Sequence, residues 1–110
     1  MDWLDEIELE LRRGHEAEKS GNAGRARTAA RRAVGMAVTA YQKHFPGKRY
    51  GNDFMKQIRG IAEDQVLPVE VREAATRLQA RISQEFTSLS RQPLVDATVI
   101  INFIRQALTS

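Results

Sequence analysis

The sequence predicts an all-α protein, a four- to five-helix up-and-down antiparallel bundle. Apolar residues recur at three- and four-residue intervals in five stretches, and no stretch long enough for a strand alternates with a period of two. The stretches are separated by Gly, Asn and Pro, the residues that stop and start helices. A chain of 110 residues supports one modest core, so residues 1–110 read as a single domain.

The first helix is expected from about Asp2 to Lys19, with Trp3, Leu4, Ile7 and Leu11 on one stripe. Asp2 suits the N-cap, and acids in the first turns suit the positive end of the helix dipole. Ser20-Gly21-Asn22 breaks the helix, with Gly21 fitted to a left-handed C-terminal position and Asn22 to capping the next helix. The second helix, from about Ala23 to Phe45, interleaves alanines with arginines. At about 100° per residue, Ala26, Ala30, Ala33, Ala37, Tyr41 and His44 share one sector, while Thr28, Gly35 and Thr39 lie opposite. Small side chains let a neighbouring helix approach to about 8 Å, so this helix is central, with His44 partly buried in its last turn.

Pro46-Gly47 ends it, and Lys48–Gly51 form a basic loop. The third helix is expected from about Asp53 to Asp64, capped by Asn52, with Phe54, Ile58, Ile61 and Ala62 on its stripe. The fourth opens at Pro68 and runs to about Phe86 on Val71, Ala74, Ala75, Leu78, Ile82 and Phe86, with a Glu73–Arg77 pair on its surface. Thr87–Gln92 connect it to a fifth helix opening at Pro93. There Leu94, Ala97, Ile101, Ile104 and Leu108 form a stripe that Val99, Ile100, Phe103 and Ala107 widen beyond half the circumference. Such an arc is either central to the bundle or shared with a second subunit, which makes Val99, Ile100, Phe103 and Ala107 interface candidates for a homodimer.

Charge is unevenly spread. Residues 1–18 carry seven acids against two bases, and residues 19–59 carry ten bases against one acid. Either the acidic first helix packs on the basic second and partly neutralises it, or a basic surface remains for phosphates or an acidic partner. Arg27 and Arg31 lie on one flank of the second helix; Arg25, Arg32 and Lys43 lie on the other. Arg25, Arg31 and Arg32 are the helix candidates for ligand contact. The more compact cluster is Lys43, His44, Lys48, Arg49 and Tyr50, next to Asn52 and the backbone N–H groups that open the third helix, a place where an anion can bind. Asp96 falls inside the apolar arc of the fifth helix. It either interacts with N–H groups of the first turn or forms a buried pair with an arginine such as Arg25 or Arg32.

With no cysteine there is no thiolate metal site, disulfide or cysteine nucleophile, and the two histidines lack the Glu-x-x-His partners of a di-metal helical site. Asp2, Asp5, Glu6 and Glu10 read as a solvated face. No metal, cofactor or catalytic set is expected. The acidic start differs from a signal peptide and no apolar run spans a bilayer, so the expected compartment is the cytoplasm, with no membrane contact.

One family resemblance emerges from these segments. Gly24-Arg25-Ala26-Arg27, Ala30-Arg31-Arg32-Ala33-Val34-Gly35-Met36-Ala37 with Tyr41, Tyr50-Gly51-Asn52-Asp53-Phe54, Leu67-Pro68-Val69-Glu70-Val71-Arg72 and Pro93-Leu94-Val95-Asp96-Ala97 together resemble the HEPN domain family, over about residues 20–108. The resemblance implies an up-and-down helical bundle that commonly dimerises. It also implies either a nucleotidyltransferase partner or a metal-independent ribonuclease activity. The ribonuclease branch needs an arginine followed, four to six residues later, by a histidine. Here Ala37, Val38 and Thr39 stand before His44, Glu8, Leu9 and Glu10 stand before His15, and the histidine sometimes found at Asn52 is missing. The expectation is therefore a non-catalytic HEPN-like module that binds a nucleotide, RNA or partner protein through a basic surface. The alternative is an interaction bundle that homodimerises through its C-terminal helix without a small ligand.

Overall fold

The computed structural model of the protein describes residues 3–80 and 92–109. They form five helices and no strand: α1 (Trp3–Lys19), α2 (Ala23–His44), α3 (Phe54–Glu63), α4 (Val69–Gln79) and α5 (Pro93–Thr109). The all-α bundle expected from periodicity is the observed fold. The predicted cap Asp2, the stripe residues Ile82 and Phe86, and the connector from Thr87 to Arg91 lie outside the described residues.

The joint between α1 and α2 forms as its sequence dictates. Gly21 has φ +77°, a left-handed value that favours glycine, and the Asn22 side chain accepts the Arg25 N–H at 3.0 Å. So short a joint folds α2 back along α1. Gly14 of α1 faces both Ala29 of α2 and Leu94 of α5, while Trp3 lies with Leu108 at the other end, so α5 runs against α1 and alongside α2. Phe103 meets the Tyr41 ring, which keeps that register. Arg77 meets Asp96, and Val71 lies with Val99 and Phe103, so α4 is antiparallel to α5.

Helix α2 is the centre, touching α1, α3, α4 and α5. Ala30, Ala33, Val34, Ala37 and Val38 have no measurable exposure, and they form one core with Ile58, Ile61, Leu78, Ile100 and Ile104. The small-residue sector explains this close packing. The side predicted to lie opposite is also used, because α3 crosses α2 at Gly35. A Cβ there would stand 2.6 Å from Phe54 Cβ, so glycine is what permits this approach.

Several expectations are corrected. Helix α3 is capped by Asp53, not Asn52: Asp53 is extended (φ −127°, ψ 154°) and its carboxylate accepts the Lys56 N–H at 3.0 Å. Helix α4 ends at Gln79, short of Phe86, where the Arg31 guanidinium donates to the carbonyls of Leu78 (2.9 Å) and Ala80 (3.0 Å). His44 is exposed, with its ring edge-on to Phe45, while Tyr41 in the same turn takes the buried position against Phe103 and Tyr50. Glu10 is buried and holds Arg13 at 3.2 Å instead of joining a solvated face. Ile100 of α5 is fully buried in the core, so it is not available to a second subunit. With α2 on one side and α4 on the other, α5 needs its wide apolar arc for its own bundle.

Candidate binding surface along α2

The basic loop is tied down from within. Tyr50 donates its hydroxyl to Asp64 Oδ2 at 2.6 Å, and Lys48 Nζ reaches the same oxygen at 2.9 Å. Asp64, at the C-terminal end of α3, also accepts the Val66 N–H through Oδ1 at 3.1 Å. The Tyr50 ring lies over Gly60 and stacks with Tyr41, with centroids 6.4 Å apart. On the other side of the loop, Gln42 Oε1 accepts the N–H groups of Tyr50 (2.7 Å) and Gly51 (3.1 Å). Buried Gln57 donates to the Gly51 carbonyl at 3.2 Å and to Thr39 Oγ1 at 3.0 Å.

The electrostatics agree with the geometry. Burial pushes the Tyr50 hydroxyl well above its ordinary pKa, and its bond to Asp64 adds to the shift. The bond to Asp64 likewise raises Lys48, against a smaller opposing effect of burial. For Asp64 burial alone would raise the pKa, but the bonds from Tyr50, Lys48 and the Val66 amide outweigh it and hold the carboxyl below its ordinary range. Lys48 and Tyr50, two of the predicted ligand contacts, are therefore members of a structural knot.

The anion-binding end predicted at the start of α3 is also taken. The Asp53 carboxylate caps that turn and has Lys56 Nζ at 3.9 Å. A phosphate would meet a fixed negative charge there.

The basic residues of α2 divide as their flanks predicted. Arg31 closes α4, whereas Arg25, Arg32 and Lys43 are exposed along one line of the helix. Asp96 is buried and bound by Arg77 of α4, with Nη2–Oδ1 at 2.8 Å and Nε–Oδ1 at 3.2 Å. A buried arginine pair was one of the two readings for Asp96, but the arginine comes from α4 and not from α2. Arg77, half exposed, thus reaches across to α5 for its ion pair. The acidic α1 does pack on the basic α2, yet its ion pair, Glu10–Arg13, is internal to α1.

Two connected hollows follow α2. A groove of about 540 Å³ beside the loop is lined by Lys43, Lys48, Arg49 and Lys56, with Thr39, Gln42 and Asn52, and no carboxylate lines it. Among the described residues, Lys43 and Arg49 make no hydrogen bond or ion pair; Asn52 stands exposed between them and the second hollow. That second hollow is a cleft of about 960 Å³, floored by Met36 and Ala40, walled by Trp3 and Glu6 of α1 and by Asp53 and Phe54 of α3, and bounded by Arg32, Lys43 and His44. No group of three or more His, Asp or Glu side chains among the described residues is placed to hold a metal ion, and no helix among them is long and apolar enough to cross a membrane.

Sequence reasoning located Lys43, His44, Arg49 and Asn52 at this surface but missed Lys56, Gln42, Gln57 and Asp64. Gln57 carried a signal, since it falls three residues after Phe54 and next to Ile58 on an apolar stripe. Asp64 carried none, because its partners are 14 and 16 residues away across a loop. Compared with known proteins, the chain matches no family model, no curated protein and no solved structure.

Proposed function

We propose that this chain is a non-catalytic, HEPN-like helical module of the cytoplasm that binds the phosphates of a nucleotide or RNA at the groove beside α3. The observation that supports this most is the groove's charge: Lys43, Arg49 and Lys56 line it, no carboxylate does, and Lys43 and Arg49 have no partner among the described residues. Cations held apart on a rigid frame gain by neutralising phosphates and releasing their counterions. The knot of Tyr50, Asp64 and Lys48 supplies that frame beneath Arg49.

The test is fluorescence anisotropy of a labelled single-stranded RNA over a range of salt concentrations. Three phosphate contacts give a slope of log K against log salt of about −2, and each base removed flattens it by about 0.7. Arg49→Ala/Lys56→Ala is expected to weaken binding and flatten the slope by both steps; an unchanged slope in that variant rejects the reading.

A homodimer through α5 has one observation in its favour. Val95 is 55% exposed and continues a line of half-buried Val99, Phe103 and Ala107. Phe103 is a poor probe because it also packs on Tyr41. Val95→Asp is expected to abolish self-association in sedimentation velocity without lowering the melting temperature.

A further inference from the structure

Among the described residues, the shell of helices around α2 is incomplete. Helix α1 packs on α2 and α5, α3 packs on α2 and α4, and α1 and α3 do not meet. Between them a strip of α2 from Arg32 to Lys43 faces the 960 Å³ cleft. The eleven steps from Arg32 to Lys43, at 1.5 Å each, make a slot about 16 Å long, which is three helical turns. Its floor is apolar and each wall carries an apolar residue beside a carboxylate: Met36 and Ala40 of α2, Trp3, Phe54 and Leu108 are each only partly covered by the bundle. Charge marks its ends, with Arg32 at one and Lys43 at the other, both exposed.

From this arrangement we infer that the slot docks an amphipathic helix of a partner protein, about three turns long, with an apolar stripe and acidic residues about eleven positions apart that meet Arg32 and Lys43. This goes beyond phosphate binding at the neighbouring groove and does not depend on it. Two features favour a helix over a nucleic acid in the slot. Glu6 stands on the α1 wall and Asp53 on the α3 wall, so a polyphosphate laid between them meets carboxylates on both sides. A helix places acids only on the line facing Arg32 and Lys43 and turns apolar or basic side chains toward those walls. The apolar stripe also covers surface that a phosphate backbone leaves wet.

The experiment is selection from a display library of helix-forming peptides of about fourteen residues on the full chain, followed by binding measurements on the enriched sequences. The expected peptides carry apolar residues at i, i+3, i+4 and i+7 flanked by acids eleven apart. They shift the emission of Trp3, the single tryptophan of the chain, toward the blue. Ala40→Trp, which fills the floor, should weaken them more than tenfold, and Arg32→Glu about tenfold. A peptide with the matching acid changed to lysine should recover affinity for Arg32→Glu. If Ala40→Trp fails to fold, Arg32→Glu and its charge-swapped peptide decide alone, because Arg32 is an exposed residue. Arg49→Ala/Lys56→Ala should leave peptide binding intact, so loss of RNA binding and loss of peptide binding are separate results. The inference is overturned if no peptide family is enriched, if the enriched peptides bind Ala40→Trp equally well, or if Trp3 responds to single-stranded RNA and not to peptide.

Discussion

Two basic stretches of this chain look alike in composition and differ in use. Lys48 to Gly51 joins bases with an aromatic, the combination that most resembled a ligand loop, yet the Lys48 and Tyr50 side chains converge on Asp64 beneath them and only Arg49 is left outside. The line Arg25, Arg32 and Lys43 is scattered through an alanine-rich helix, yet it stays exposed along the open side of the bundle. What separates them is the availability of a carboxylate at the right height. Helix α3 ends where its last polar residue reaches back under the loop, whereas no acid of α1 bonds to that line of α2 among the described residues. Basic residues near a helix end are absorbed where a neighbouring helix terminates. Arg31, in mid-helix, is absorbed in the same way by the end of α4, whereas Arg25, Arg32 and Lys43 meet no such end among the described residues and remain outside.

Breaking the knot gives the largest effect. Asp64→Ala removes the acceptor shared by Tyr50 and Lys48 and leaves the half-buried hydroxyl without its partner. It is expected to cost about 2–3 kcal/mol in urea denaturation, in the range of hydrogen bonds to a charged group. The same cluster sets a pH dependence. Because Asp64 is held below its ordinary range, its contribution is present above the unfolded value of about 4 and is lost as pH falls through the lower folded value. Lys48 and Tyr50 are raised, so their contributions are complete below about pH 10 and are lost as pH rises through their folded values. Denaturation midpoints across pH should therefore fall at both ends. Asp64→Asn should flatten the acid arm and weaken the alkaline one. An acid arm unchanged in that variant would show that other carboxylates control it.

Arg31 and Arg32 sharpen the comparison within two adjacent residues. Arg31→Ala uncaps the end of α4, leaving the Leu78 and Ala80 carbonyls without their guanidinium donor, and should cost about 1–2 kcal/mol. Arg32 is exposed and makes no hydrogen bond or ion pair among the described residues, so Arg32→Ala should stay within about 0.5 kcal/mol. Equal losses for the two variants would contradict the division of α2 into an inner and an outer basic flank.

The helices and the flanks of α2 were legible because they depend on spacing within one element. The small-residue sector of α2, the Asn22 cap and the placement of Pro93 at the start of α5 all follow from local rules. The fate of each charge was not, since it depends on what another element brings to it. Asp96 stood out as a carboxylate inside an apolar arc, but only the register of α4 against α5 selects Arg77 as its partner. Gly35 lies opposite the small-residue sector, and nothing in α2 itself announces that α3 crosses there. The internal ties of Lys48 and Tyr50 were hidden for the same reason: nothing near Tyr50 in sequence announces Asp64.

The smallest effect tests whether the two regions communicate through charge. Asp53 caps α3 and also borders the cleft next to the basic groove, where its carboxylate opposes any polyanion. Asparagine caps nearly as well as aspartate, so Asp53→Asn should change stability by less than about 0.5 kcal/mol while removing one negative charge. It also releases Lys56 from a weak 3.9 Å pairing. Single-stranded RNA should then bind about twofold more tightly at low salt, with the gain shrinking as salt screens it. Asn52→Ala, one residue away, makes no cap and carries no charge, and is expected to leave the stability of α3 unchanged. If Asp53→Asn tightens RNA binding while Asn52→Ala leaves it alone, the groove reads phosphate by charge. If Asn52→Ala has the larger effect on binding, hydrogen bonding by the exposed amide dominates and the count of bases ceases to be the right description of the site.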